Sequence, residues 1–404
     1  MTAFRHRVGP LRRAPGFRAV EHRFELPLAP GDDRRIEVFA REVRSAKHAD
    51  DDTRPYLLKL NGGPGFPNKR PDSLGSWLAR ALEDFHVVLL DQRGTGLSTP
   101  VTEQTLTGTA EVQAAYLAHF RADAIVRDAE QIRTALLGDR PWAVFGQSFG
   151  GFATLTYLSF APEGVSEAFI TGGLPTIGRP VEDVYRATYT RIEARLAEYL
   201  ERYPEDEEIW RRVVELEPSF KRLGNDLGRG SGLEALHYLA EGALTPEGDL
   251  AIAFRRHALN QLDHTGFPLY AVLHEACWAN GTSTNWAAER VLSERGTDPL
   301  LHGEMVLRRD FEHPSLRPFA EVAERLAEIE WPKLYDEQRL ARNDVPTAAA
   351  IYLDDVFVDS THSRETAAKV GSLRAWVTNE HHHDGIHSGP EVLDRLIRTA
   401  RGEL

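Results

Sequence analysis

The chain has 404 residues, 42% of them hydrophobic and 27% charged, and a formal net charge of −13 at pH 7. This composition is that of a globular protein with a large core, and its acidity argues against a nucleic-acid partner, whose phosphates require a basic surface. No apolar run is long enough for a signal peptide or a membrane span, and the single cysteine, Cys277, excludes an intrachain disulfide, so we expect a cytoplasmic protein with no membrane partner.

The first part of the chain predicts two antiparallel strands followed by alternating strands and helices. Residues 18–28 and 35–43 alternate between apolar and polar side chains, and a Pro-Gly-Asp-Asp turn at residues 30–33 joins them. Short apolar runs and helical patterns then follow one another: the runs are residues 56–60, 86–90, 142–145 and 167–170, and the helical patterns are residues 73–82 and 123–137. Such alternation predicts a parallel sheet buried on both faces.

The second part of the chain changes character and then returns to strands. Amphipathic helical patterns dominate from about residue 175, at residues 184–203, 205–216 and 319–328. Strand patterns resume at residues 348–353 and 373–377, and residues 390–401 predict a closing helix. We therefore predict an α/β-hydrolase fold with a mostly parallel central sheet. Residues 1–174 and 345–404 would form its core, and residues 175–344 an inserted helical cap, or lid.

An apolar run ends in the pattern Gly-x-Ser-x-Gly, formed by Gly146, Ser148 and Gly150. In a nucleophile elbow a buried strand turns so sharply into a helix that only glycine fits at the flanking positions. Residues 152–158 can carry that helix. The pattern predicts Ser148 as a nucleophile, although a glycine-rich turn without a catalytic role would have the same short sequence.

A serine nucleophile needs a base to take its proton and an acid to orient that base, in the chain order serine, acid, histidine. Asp354 and Asp355 follow the strand predicted at residues 348–353, which gives the acid the required place in the chain. Only one of the two can face the histidine if strand geometry continues, and Asp359 is a third alternative. The residue pattern leaves the choice open.

Three histidines, His381, His382 and His383, follow the strand predicted at residues 373–377. We favour His383 as the base because Asp384 and Gly385 supply a turn that would bring it back over the serine. Adjacent histidine side chains splay apart, and no second ligand pair at helical spacing accompanies them. We therefore expect no metal site in this run.

A glycine-rich loop with the sequence Asn-Gly-Gly-Pro-Gly occupies residues 61–65, directly after the first predicted parallel strand. Acyl transfer needs backbone N–H groups aimed at the developing oxyanion. Gly62 or Gly63 can supply one such donor and Phe149, just after the serine, the other. A turn without a catalytic role is the alternative. The Gly-x-Gly within residues 91–98 lacks a surrounding dinucleotide-binding pattern, so we expect no cofactor.

Three segments together resemble the proline iminopeptidases, or prolyl aminopeptidases, which are serine peptidases of the α/β-hydrolase superfamily. These segments are residues 61–65, 91–98 and 146–151. The resemblance implies Ser148 as nucleophile, Asp355 as acid and His383 as base. It also implies an exopeptidase that releases N-terminal proline from small peptides with a free N-terminus through an acyl-enzyme. Asn61 departs from the pattern, since the smaller relatives usually have histidine there.

Members of this family recognise the free imino group of the substrate through glutamates of the lid. Residues 270–275 and 302–305 resemble those lid segments, which nominates Glu275 and Glu304. Buried carboxylates would stabilise a protonated amine in a partly dry pocket, whereas solvated charges on helix faces are the alternative. Four aromatic residues could form a wall for a proline ring or belong to the core: Phe66, Tyr270, Trp278 and Trp286.

Two other functions stay open at this point. Because a fold does not determine a substrate, an esterase, amidase or other small-substrate serine hydrolase is the nearest alternative. A non-catalytic ligand receptor is less favoured, because serine, acid and histidine are all in place. The sequence does not predict the oligomeric state or the strictness of a preference for proline.

Overall fold

A computed structural model describes residues 5–404 and shows one mixed sheet of ten strands. Its order is β1-β3-β4-β6-β5-β7-β8-β9-β10, and the short β2 pairs with β3. The strands are β1 His6–Val8, β2 Arg12–Ala14, β3 Phe17–Pro27, β4 Arg35–Ser45, β5 Tyr56–Leu60, β6 His86–Leu90, β7 Trp142–Gln147, β8 Val165–Thr171, β9 Thr347–Tyr352 and β10 Leu373–Thr378. From β6 to β10 along this order the neighbours are parallel, which confirms the predicted fold class.

Helices cover both faces of the sheet, which explains why its central strands are almost wholly apolar. The helices around the sheet are α1 Ser76–Asp84, α2 Ala110–Leu117, α3 Ala122–Leu137 and α4 Phe149–Phe160 before the helical block, and α13 Ser360–Lys369 and α14 Glu391–Ala400 after it. Alternate residues of β7 point to opposite faces: Val144 belongs to the core under α3 and α4, and Phe145 to the core under α1 and α14.

A block of helices lies in the chain between β8 and β9, where the sequence predicts a helical insertion. Its helices are α5 Val181–Arg202, α6 Asp206–Leu216, α7 Gly232–Glu241, α8 Ile252–Gln261, α9 Leu269–Val272, α10 Ala287–Arg295, α11 Ala320–Glu328 and α12 Glu337–Ala341. A 3-10 segment, Pro218–Gly228, lies between α6 and α7. None of the helices formed by residues 5–404 has the length and apolar content needed to cross a bilayer. The domain boundaries predicted at residues 174 and 344 stay predictions.

Arginines tie the helical block to the sheet core. The buried Arg121 guanidinium, at the start of α3, donates to the carbonyl of Ala279 and, at 3.2 Å, to that of Pro332. It also stacks over the Trp331 ring, 4.7 Å from the ring centroid. Arg191 on α5 donates to the Asp359 carboxylate at 2.8 Å. The block is thus attached to the core through hydrogen bonds from both of its ends.

The structure differs from the sequence prediction mainly in short or polar elements. Strands β1 and β2 have three residues each, too few to show a period, and α13 has a polar sequence without an apolar face. The side chain of Asp359 caps α13 by accepting hydrogen bonds from the backbone of Thr361 at 2.8 Å and His362 at 3.0 Å. Helix α1 begins at Ser76, three residues later than predicted.

A buried ion pair supports the loop that follows β6. Arg93 Nε lies 2.8 Å from Asp128 Oδ2, and both side chains are 1% exposed. The same guanidinium donates to the carbonyls of Leu28 and His119, each at 2.7 Å. Asp128 therefore neutralises a cation that connects β3, the β6 loop and α3.

We expect Asp128→Ala to lower the free energy of unfolding by about 3–5 kcal/mol, because it leaves the Arg93 guanidinium buried without its carboxylate. Urea denaturation measures this change. Asp139→Ala, at an exposed position, is the matched control and should change stability by no more than about 0.5 kcal/mol. Equal, small losses in both variants would contradict the assignment.

Candidate active site

Ser148 occupies a tight turn between β7 and α4, with φ of 53° and ψ of −124°. The flanking backbones lie too close for any side chain. A Cβ on Gly146 would lie 2.3 Å from the carbonyl oxygen of Gly150, and one on Gly150 would lie 2.2 Å from that of Leu60. The Gly-x-Ser-x-Gly pattern therefore has the geometry of a nucleophile elbow.

Asp355 and His383 form a buried hydrogen-bonded pair at the ends of β9 and β10. His383 Nδ1 lies 2.8 Å from Asp355 Oδ2, and Asp355 Oδ1 accepts from the backbone N–H groups of Phe357 at 2.9 Å and Val358 at 3.0 Å. An ionised carboxylate only accepts hydrogen bonds, so His383 Nδ1 carries the proton. Nε2 of the neutral ring is then free to accept a hydrogen bond. Burial opposes a charge on the ring, but the Asp355 carboxylate outweighs it and raises the pKa of His383.

The other acids and histidines of these segments have different partners. Asp354 is exposed, and Asp359 caps α13. His382 Nε2 lies 3.3 Å from a guanidinium nitrogen of Arg195, and the His381 ring lies 6.1 Å from that of Trp376. Among the acids left open by the sequence, the structure thus brings Asp355 to a histidine, and that histidine is His383.

Two glycines after β8 connect the serine with this pair, and the sequence analysis did not identify them. A Cβ on Gly172 would lie 3.2 Å from His383 Nδ1 and 3.4 Å from Asp355 Oδ2, while one on Gly173 would lie 2.4 Å from the Ser148 carbonyl oxygen. These consecutive residues place Ser148 and the Asp355–His383 pair at the same end of the sheet. A Gly-Gly pair directly after an apolar strand was the available signal.

The glycine-rich loop after β5 borders Ser148. A Cβ on Gly62 would lie 3.2 Å from Ser148 Cβ, and Gly63 has φ of 125°, a conformation that favours glycine. Phe149 is the first residue of α4, where backbone N–H groups have no acceptor within the helix. Asn61 Nδ2 donates to the Pro67 carbonyl at 3.0 Å, which fixes the loop from within.

Glu304, from the helical block, reaches the same site. Its half-buried carboxylate accepts a hydrogen bond from the Tyr270 hydroxyl at 3.0 Å, and the Tyr270 ring lies 5.0 Å from that of Phe66. Burial raises the pKa of Glu304, and the charge of His383 is the largest influence that opposes this rise. Glu304 is therefore an electrostatic neighbour of the Asp355–His383 pair.

Glu275 lies deeper in the helical block and has its own donors. Its carboxylate accepts from the backbone N–H groups of Ala287 at 3.1 Å and Ala288 at 2.9 Å, at the start of α10. Burial raises its pKa to about 7. Glu275 and Glu304 are both among the charges that act on the buried Tyr185 hydroxyl, so the two carboxylates share a neighbourhood.

Buried residues of the helical block continue from Glu275 towards the elbow helix. The Trp278 ring lies 4.5 Å from that of Phe152 on α4. Cys277 is buried and free. The indole of Trp286 instead donates to Glu324 at 2.9 Å. Of the proposed aromatic residues, Phe66, Tyr270 and Trp278 thus contact elements that form the site.

Comparisons with known proteins agree on one family. The family model for the alpha/beta hydrolase fold matches residues 55–218. A proline iminopeptidase of Aeromonas sobria is 42% identical, with 96% of this chain and 97% of that protein covered. The proline iminopeptidase aneH of Aspergillus aculeatus is 33% identical, over 94% of this chain and 93% of that protein.

We expect Gly150→Ala to lower kcat for hydrolysis of a chromogenic proline amide by about 100-fold, since a displacement of roughly 1 Å at a reacting group can have this effect. The added methyl group would push the elbow away from the β5 loop. Steady-state kinetics measure the change in kcat, and a thermal unfolding curve measures any change in stability. Gly266→Ala is the control, because a Cβ there meets no atom within 4 Å. Full activity of Gly150→Ala would refute the close approach.

Proposed function

Because the chain belongs to the proline iminopeptidase family of the α/β-hydrolase superfamily, we propose that it is a serine exopeptidase that releases proline from the N-terminus of peptides. The observation that carries this proposal is the position of Glu304. A half-buried carboxylate beside a serine, aspartate and histidine set provides a site for a cation next to the nucleophile, and a peptide N-terminus is such a cation.

The proposed chemistry begins when Ser148 Oγ attacks the prolyl carbonyl carbon while His383 Nε2 takes the hydroxyl proton. Asp355 keeps the His383 proton on Nδ1 and stabilises the imidazolium. The backbone N–H groups of Phe149 and of Gly62 or Gly63 would hold the oxyanion. His383 then gives its proton to the leaving amine as the C–N bond breaks, and water hydrolyses the prolyl ester by the same steps.

Selection of the substrate would come from the helical block. Glu304 is the first candidate for the protonated imino group, because the Tyr270 hydroxyl holds its carboxylate and the charge of His383 acts on it. Glu275 is the second, although its two backbone donors already satisfy part of its hydrogen-bonding capacity. Phe66 and Trp278 would form apolar walls for the ring of the proline. The helical block would therefore act as a lid over the serine.

We also propose that the protein acts in the cytoplasm on small peptides with a free N-terminus. Its one cysteine, Cys277, is a buried free thiol. A reducing compartment preserves a free thiol.

We expect the protein to hydrolyse proline p-nitroanilide, and Ser148→Ala to lower kcat at least about 10⁴-fold, because the nucleophile is lost. Initial rates for proline and alanine anilides and for a short-chain ester measure the preference. Ser293→Ala, exposed on α10, is the control and should keep full activity. Cleavage of the ester without the proline anilide would favour an esterase, and absence of all three activities would favour a receptor.

We expect Glu304→Gln to raise KM for proline p-nitroanilide about 10- to 100-fold, since a hydrogen bond to a charged group contributes about 1.5–3 kcal/mol. The wild type should also bind this substrate more weakly as pH falls, because the raised pKa of Glu304 lets the carboxylate take up its proton at a higher pH than an exposed glutamate would. Glu304→Gln should lose this part of the pH dependence. Glu275→Gln, measured in parallel, tests the second glutamate.

An unchanged KM in Glu304→Gln would remove Glu304 from amine recognition. If Glu275→Gln changes KM as much as Glu304→Gln does, both glutamates bind the amine. A smaller effect would limit Glu275 to stabilising the start of α10.

A further inference from the structure

An arginine with unused hydrogen-bonding capacity lies at the edge of the site. Arg229 follows the 3-10 segment Pro218–Gly228, and its side chain is 62% exposed. One of its two terminal nitrogens lies 3.3 Å from Asp226 Oδ1, which makes an ion pair. No hydrogen bond from residues 5–404 engages its other side-chain nitrogens, so the guanidinium can bind an additional anion.

The loop that carries Arg229 packs against the catalytic histidine segment. The backbone N–H of Gly230 donates to Asp384 Oδ1 at 3.0 Å, and Asp384 directly follows His383. On the other side of Arg229, a Cβ on Gly228 would lie 2.2 Å from the Phe357 ring, which stands edge-on to the His383 ring at 4.9 Å. Residues 228–230 therefore border the side of the site on which His383 lies.

The charge of Arg229 also reaches the proposed amine site. Burial raises the pKa of Glu304, and Arg229 is among the cations that oppose this rise. Arg195, which also lies beside the histidine segment, is already engaged by the Leu227 carbonyl at 3.2 Å and by Glu198 and His382. Arg229 thus differs from its neighbour in having donors that no acceptor among residues 5–404 engages.

The direction of catalysis indicates which part of a substrate would meet Arg229. His383 must protonate the leaving amine, so the residue after the scissile bond lies on the His383 side of the site. In a dipeptide this residue is the last one, so it carries the free C-terminal carboxylate. We propose that Arg229 binds this C-terminal carboxylate, which makes prolyl dipeptides preferred substrates. The inference rests on the proposed aminopeptidase function.

The preference would follow from matching charges. A prolyl dipeptide carries a secondary ammonium at one end and a carboxylate at the other. Glu304 would bind the ammonium and Arg229 the carboxylate. A longer peptide has a neutral amide at the second position and loses the contact with Arg229. An arginine can hold a carboxylate through two parallel hydrogen bonds, which favours this end group over a neutral amide.

The test compares two substrates that differ in one charge, prolylglycine and prolylglycinamide. For the wild type we expect a higher kcat/KM with prolylglycine, and a preference that falls as salt is added. Arg229→Met should lower the ratio of the two kcat/KM values by about three- to tenfold, as expected for a partly exposed charged contact. Arg229→Lys should retain part of the preference.

Arg256→Met is the matched control, because Arg256 is exposed on α8 within the same helical block. It should leave the ratio unchanged. An unchanged ratio in Arg229→Met, or an equal fall in Arg256→Met, would overturn the role of Arg229. Failure of the wild type to release proline from either substrate would instead overturn the proposed function.

Discussion

The close approach of three backbone segments at one end of the sheet is the constraint on which the site depends. The turn at Ser148, the loop after β5 and the loop after β8 meet where a Cβ on Gly150 or Gly173 would lie within 2.4 Å of a carbonyl oxygen. Glycine is thus required by sterics at these points. Because the segments touch, the nucleophile, the predicted oxyanion donors and the histidine pair are held in fixed relation by the backbone.

Two buried carboxylates and one half-buried carboxylate near the site have different hydrogen-bond donors, which separates their roles. Asp355 accepts from two backbone N–H groups and from His383, and Glu275 accepts from two backbone N–H groups at the start of α10. Glu304 is held by the Tyr270 hydroxyl, a neutral donor on a neighbouring segment of the helical block. A half-buried carboxylate held by a neutral donor favours a cation from outside, and this is the physical basis for assigning the substrate amine to it.

Much of this arrangement could be predicted from local patterns. Strand β6 matches its predicted bounds, and the elbow and the order of serine, acid and histidine were readable because each depends on a few adjacent residues. Local patterns could not decide between Asp354 and Asp355, because the chain turns after Tyr352 and strand alternation no longer applies. The contact of Tyr270 with Glu304 and the position of Arg229 beside the histidine segment depend on residues far apart in the chain, for which one sequence offers no signal.

The attachment of the helical block by Arg121 has a consequence for experiments in solution. Burial lowers the pKa of this arginine only to about 10, and its ligands at Ala279 and Pro332 are carbonyls, which do not titrate. Asp359 accepts a hydrogen bond from Arg191. Its pKa is lowered, so it stays ionised around neutral pH. These two anchors therefore keep their charge states around neutral pH. A change in activity around neutral pH therefore need not reflect a change in the charge of either anchor.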